Sequence, residues 1–113
     1  MQSSTGRKRV HPLSPRAVDI QQVRRLLRRR LPDLRERYGV RSLGIFGSCV
    51  RGKRSRRSDL DILVEFDRPP TLLQFVRIER ELSEQLGAKV DLVMRSALKP
   101  AIGARILAEV VPV

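Results

Sequence analysis

Gly47-Ser48, a gap of ten residues, Asp59-Leu60-Asp61, and then Asp91 thirty residues further on are the residues whose types and spacing could do chemistry. Side chains at i and i+2 of a strand point to one side, so Asp59 and Asp61 would face a common pocket, and Asp91 on a neighbouring strand would bring in a third carboxylate. Three converging carboxylates repel one another unless a cation sits among them. Magnesium fits, because it takes a few carboxylates together with water and substrate phosphates. The Gly-Ser pair supplies the complementary half: glycine lets backbone approach a triphosphate closely, and exposed N–H groups with a serine hydroxyl can hold phosphate oxygens. Arg51 is best placed of the neighbouring cations to neutralise phosphate. Ser58 is a further binding candidate, although its plainer role is to begin a strand. Lys53, Arg54, Arg56 and Arg57 read as a solvated loop.

The flanking elements must position this set. Ile20, Val23, Leu27, Leu31, Leu34 and Tyr38 recur at steps of three and four, which predicts a helix from about Ala17 to Tyr38 that Pro32 could kink or divide. Arg24, Arg25, Arg28 and Arg29 load its opposite face, as a solvated surface or a docking surface for an acidic partner or RNA. Gly39 stops the helix, and Ser42 to Phe46 is a short apolar run suited to a buried strand. Leu60 to Phe66 forms a second strand. Thr71 caps a second helix with Leu72, Phe75, Val76, Leu82 and Leu86 on one face and Gly87 as its stop. Val90 to Met94 is a third strand, residues 96 to 108 a third helix beginning near Pro100, and Val110 to Val113 a short edge strand. The order gives an α+β domain: helices packed on a small mixed sheet, in two layers.

With 113 residues the chain suits one domain with one modest core. We divide it into a flexible basic arm over 1–15 and a folded domain over 16–113. No apolar run is long enough to span a membrane and the first ten residues lack a secretory h-region, so a cytoplasmic protein is expected. The single cysteine, Cys49, excludes an internal disulfide and has no partners for structural zinc. The net charge of +12 is concentrated early, with twelve Lys and Arg against three acids in residues 1–41. Such a field favours anionic partners without choosing among them. Aromatic residues make up only 4% of the chain and form no stacking platform, so direct nucleic-acid binding is disfavoured.

Gly47-Ser-Cys-Val-Arg-Gly52-Lys53 also satisfies most of a P-loop pattern. Arg54 stands where Ser or Thr would hold magnesium, however, and a strand rather than a long helix follows, which removes that reading.

Gly-Ser-Cys-Val-Arg-Gly followed by Ser-Asp-Leu-Asp-Ile-Leu-Val resembles the signature of the DNA polymerase β type nucleotidyltransferases, and especially their minimal nucleotidyltransferase (MNT) branch. The likeness runs over roughly residues 40–113 and takes in Leu86 to Val93 and the closing Ile-Leu-Ala-Glu-Val-Val-Pro-Val. Cys49 and Val50 depart from it, where members often carry a polar residue and alanine. The resemblance implies a polymerase β-like palm fold in which Asp59 and Asp61 bind Mg2+. Asp91 would complete the metal site and help activate an acceptor hydroxyl, while Gly47 and Ser48 hold the triphosphate. It also implies ATP as substrate and, as partner, a HEPN-domain toxin whose tyrosine receives AMP, making this chain the antitoxin of a pair. Two alternatives stand beside it: a non-catalytic subunit that inhibits its partner by occlusion, and a transferase acting on a small molecule or an RNA end.

Overall fold

The computed structural model describes residues 19–47, 50 and 60–113. Three helices, α1 (Ile20–Tyr38), α2 (Leu72–Leu86) and α3 (Pro100–Glu109), accompany four strands, β1 (Val40–Phe46), β2 (Leu60–Phe66), β3 (Val90–Met94) and β4 (Val111–Pro112). The strands form one mixed sheet in the order β3-β2-β1-β4, with β2 and β3 parallel and the other pairs antiparallel. The α+β, two-layer architecture expected from the order of elements is therefore the one observed. The proposed basic arm over 1–15 lies outside the described residues.

Each helix begins and ends for local reasons. Asp19 caps α1 by accepting from the Gln21 and Gln22 amides, and Thr71 and Gln74 form a reciprocal capping box at α2. Pro32 neither ends nor divides α1, which runs unbroken for 19 residues. β1 begins at Val40, two residues before the apolar run that announced it, because Val40 pairs with Phe66 across an irregularity in the register. The third helix is preceded by a separate 3-10 turn over Arg95–Ala97, and Pro100 stands at the start of α3, where its missing N–H costs nothing.

Strand alternation separates two faces. Leu43, Ile45, Leu60, Ile62, Val64, Val90 and Leu92 point to the face covered by α1 and α2 and join Val23, Leu27, Leu34, Ile78, Leu82 and Leu86 in one core. Phe46 and Leu63 are also buried but lie outside that cluster, on the opposite face. The grouping expected for the second helix is corrected here: Ile78, Leu82 and Leu86 are its buried residues, while Leu72 and Val76 are exposed. Phe75, which packs against the core from the first turn, joins Ile78, Leu82 and Leu86 in one stripe, and Leu72 and Val76 fall to one side of it.

Side chains satisfy both edges of the sheet. At β3 the Val90 amide donates to Ser83 Oγ (3.0 Å) and the Leu92 amide to Glu79 Oε2 (3.0 Å), both acceptors coming from α2. At the β4 end Arg24 Nε donates to the Pro112 carbonyl (3.1 Å) and Arg28 Nε to the Val113 carbonyl (3.1 Å). Two of the four arginines read as a solvated or docking face of α1 thus act within the chain, tying the last strand to the first helix. Edge groups occupied in this way do not template strand addition.

Candidate active site

The end of β1 and the start of β2 are antiparallel neighbours, and Phe46 pairs with Asp61. β2 and β3 are parallel and in register, and Asp61 pairs with Asp91. These pairings put Phe46, Asp61 and Asp91 side by side on the sheet face opposite the core, with adjacent strands about 4.8 Å apart. Phe46 and Leu63 form an apolar floor there. Asp61 is half-buried and Asp91 exposed, so one carboxylate is held in the fold while the other faces solvent.

Gly47 leaves β1 with φ of 88°. A Cβ at this position would run into the Asp61 carboxylate, with Asp61 Cγ only 3.0 Å away. Glycine is therefore required twice, by the left-handed backbone and by the close approach of the acid. The Val50 amide donates to the Gly47 carbonyl (3.1 Å), starting a turn immediately after the strand. The chain thus brings the Gly47 backbone against Asp61 and sets Asp61 beside Asp91.

Three of the seven residues singled out from the sequence, Gly47, Asp61 and Asp91, are brought together. Ser48, Arg51, Ser58 and Asp59 lie outside the described residues, as do Cys49 and the basic stretch over 53–57. Among the described residues no group of three His, Cys, Asp or Glu gathers at metal-binding distance, since the pair Asp61 and Asp91 is all of the acidic triad that is described. Carboxylate oxygens from two adjacent strands, with the Gly47 backbone close to one of them, are the donor chemistry that a hard divalent cation takes.

Sequence reasoning missed a second polar set on the same face. Glu65 lies four residues beyond Asp61 on β2, and it accepts from Arg95 Nη1 (2.8 Å) and from Ser42 Oγ (2.9 Å). Arg95 foremost, and then Ser42, hold the Glu65 carboxyl below its ordinary range. The period of two that aligns Asp59 with Asp61 also reaches Leu63 and Glu65, and this was the available signal. The identity of Glu65's partners was not readable, because Arg95 comes from another strand's exit. Beyond the carboxyl ends of β2 and β3 a cleft of about 500 Å3 opens, lined among others by Glu65, Arg68, Pro69, Pro70, Met94 and Arg95.

Comparison with known proteins agrees with this architecture. The pattern of the nucleotidyltransferase domain family matches residues 27–111. The protein adenylyltransferase MntA of Thermococcus cleftensis is 47% identical over 94 residues, which span 83% of this chain and 95% of that protein. A solved structure assigned to a minimal nucleotidyltransferase superposes with a TM-score of 0.65 at 35% identity, covering 80% of this chain and 95% of that one. A chain of the complex between tri-AMPylated Shewanella oneidensis HEPN toxin and MNT antitoxin has the same fold, with a TM-score of 0.54 at 20% identity over 81% of this chain and 66% of that one. A palm-like sheet that sets Gly47 against Asp61 and Asp61 beside Asp91, together with a family match over most of its length, makes this chain a member of the nucleotidyltransferase domain family.

Proposed function

We infer that the chain is a protein adenylyltransferase that moves AMP from ATP to a hydroxyl of a HEPN-domain partner and so serves as the antitoxin of a cytoplasmic pair. The observation that carries this reading is the in-register pairing of Asp61 with Asp91, with the Gly47 backbone pressed against Asp61. The 47% identity to a protein adenylyltransferase, over 83% of this chain, supports the choice of nucleotide and of a protein acceptor. The Shewanella oneidensis complex supports the choice of partner, and we take a tyrosine as the acceptor side chain.

Asp61, Asp91 and, from the sequence, Asp59 are the residues that would hold Mg2+. The ion would neutralise charge on the phosphates and on the attacking and leaving oxygens. In the reaction the acceptor oxygen forms a bond to the α-phosphorus while the bond from that phosphorus to the oxygen bridging to the β-phosphate breaks, releasing pyrophosphate. Asp91, exposed on the outer strand, would take the hydroxyl proton and pass it to solvent. Gly47, with Ser48 and Arg51, would hold the triphosphate, and Ser58 is assigned a supporting contact. The arrangement relies on positioning and charge stabilisation, which is what phosphoryl-type transfer chiefly demands of a protein.

Incubation of the chain with Mg2+, α-labelled ATP and a HEPN-domain protein from the same organism tests the reading, using wild type, Asp61→Asn and Asp91→Asn. Label on the partner with wild type only is the expected result. Tight binding of the two proteins with no label from any form would replace transfer by occlusion as the mode of inhibition.

A further inference from the structure

On the reading that the acceptor hydroxyl belongs to a protein, that protein must lie against this chain while its hydroxyl reaches Asp91. Strand addition is closed at β3, where Val90 and Leu92 already donate to Ser83 and Glu79. It is hindered at β4, where Pro112 has no N–H and its carbonyl is occupied by Arg24. Among the described residues, side chains rather than a free sheet edge are left to hold a partner.

The cleft beyond the ends of β2 and β3 has the position and chemistry for this. The chain leaves β2 into α2, which packs on the core face. It leaves β3 into the 3-10 turn and α3, returning with Val110 packed over Gly44 on the opposite face. Two adjacent parallel strands whose connections depart to opposite faces open a crevice at their carboxyl ends, a common place for ligands. Glu65 marks its near wall, four residues or about 13 Å along β2 from Asp61, a span that three to four residues of extended polypeptide cover. A protein segment whose hydroxyl lies at Asp91 spans that distance.

The charges select the kind of surface that fits. Glu65 is paired with Arg95, and Asp67 with Arg41. Arg68 also lines the cleft and makes no ion pair among the described residues. Immediately past Pro69 and Pro70, Leu72, Leu73 and Val76 stand 79%, 63% and 46% exposed on the first turns of α2. Leu72, Leu73 and Val76 share one arc of α2, and Arg68, exposed four residues before Leu72, rests its guanidinium against Gly39; exposed large apolar side chains grouped in this way mark a contact surface rather than a solvated helix face.

We propose that the cleft at the ends of β2 and β3, with Arg68 and the Leu72, Leu73 and Val76 ridge, docks the acceptor-bearing protein through an acidic side chain flanked by apolar ones. This face orients the acceptor over Asp91. The nucleotide is held elsewhere, at the Gly47 end of the sheet.

Calorimetric titration with the HEPN-domain protein that wild type labels or binds tests the assignment, using wild type, Arg68→Glu, Leu73→Glu and, on the exposed side of α3, Leu107→Glu. Arg68→Glu and Leu73→Glu should each raise Kd by about tenfold or more, in the range of truncated interface anchors. Leu107→Glu should bind as wild type. Added salt should weaken wild type more than Arg68→Glu, because an ion pair has been removed from the latter. Melting curves for every variant separate docking from folding. Unchanged Kd in both cleft variants overturns the assignment even if wild type transfers label. A raised KM for ATP with unchanged partner affinity also overturns it, giving the cleft to the nucleotide, as does a change confined to self-association. If both variants lose the partner but wild type transfers no label, docking stands and the transfer reading falls.

Discussion

Gly47 sits so close to Asp61 that a single added methyl group would occupy the position of the Asp61 carboxylate. Backbone and acid are therefore built as one unit, in which the turn after β1 fixes where the carboxylate of β2 can point.

Gly47→Ala tests that unit. Its φ of 88° adds backbone strain to the clash, so we expect a stability loss of about 1–2 kcal/mol. Label transfer should fall by about a hundredfold or more, because a carboxylate displaced by an ångström no longer positions the reacting groups. Melting curves and single-turnover transfer rates check the two effects separately.

Asp61→Asn and Asp91→Asn should each lower transfer by about a hundredfold or more through lost charge stabilisation. Without metal, Asp91→Asn should change stability by less than about 0.5 kcal/mol, because Asp91 is exposed. Mg2+ should raise the melting temperature of wild type, by linkage to binding in the folded state, and this increment should shrink in either variant. Melting curves with Mg2+ and with a chelator measure it. An equal Mg2+ increment in all three proteins would remove these residues from the metal site.

Glu65 gives a pH dependence with a definite sign. Its carboxyl is held below the ordinary range by Arg95 and then by Ser42, so the folded state binds its proton less readily than the unfolded chain does. The stabilisation is present above the ordinary glutamate pKa and is lost as pH falls through the lower folded value. Arg95→Ala should cost about 1 kcal/mol near neutrality, and the difference from wild type should narrow below about pH 4. Denaturant midpoints across that range test this.

Leu82→Ala should destabilise the fold by about 2–5 kcal/mol, because Leu82 is fully buried between α2 and the sheet. Leu72→Ala, on the exposed turn of the same helix, should change stability by less than about 0.5 kcal/mol. Chemical denaturation of the two variants makes the comparison.

Periodicity and punctuation alone determined a good deal. The helical steps from Ile20 to Tyr38, the alternation from Leu60 to Phe66, and the glycines at 39 and 87 placed the main elements, because these signals act over a few residues and need no partner. The same local rule singled out Gly47, Asp61 and Asp91, and the likeness of their spacing to a known signature pointed to the family now matched over residues 27–111. Only the tertiary structure decided how strands far apart in sequence register. The pairing of Asp61 with both Phe46 and Asp91 depends on β1, β2 and β3 meeting in the order observed. The same holds for Arg24 and Arg28, which looked like a solvated face until the last strand supplied carbonyls within 3.1 Å. It holds for Leu72 and Val76, which recur at helical steps but lie beside the stripe of Phe75, Ile78, Leu82 and Leu86 that packs on the core. Long-range partners are chosen by packing, and one stretch of sequence carries only its own half of each contact.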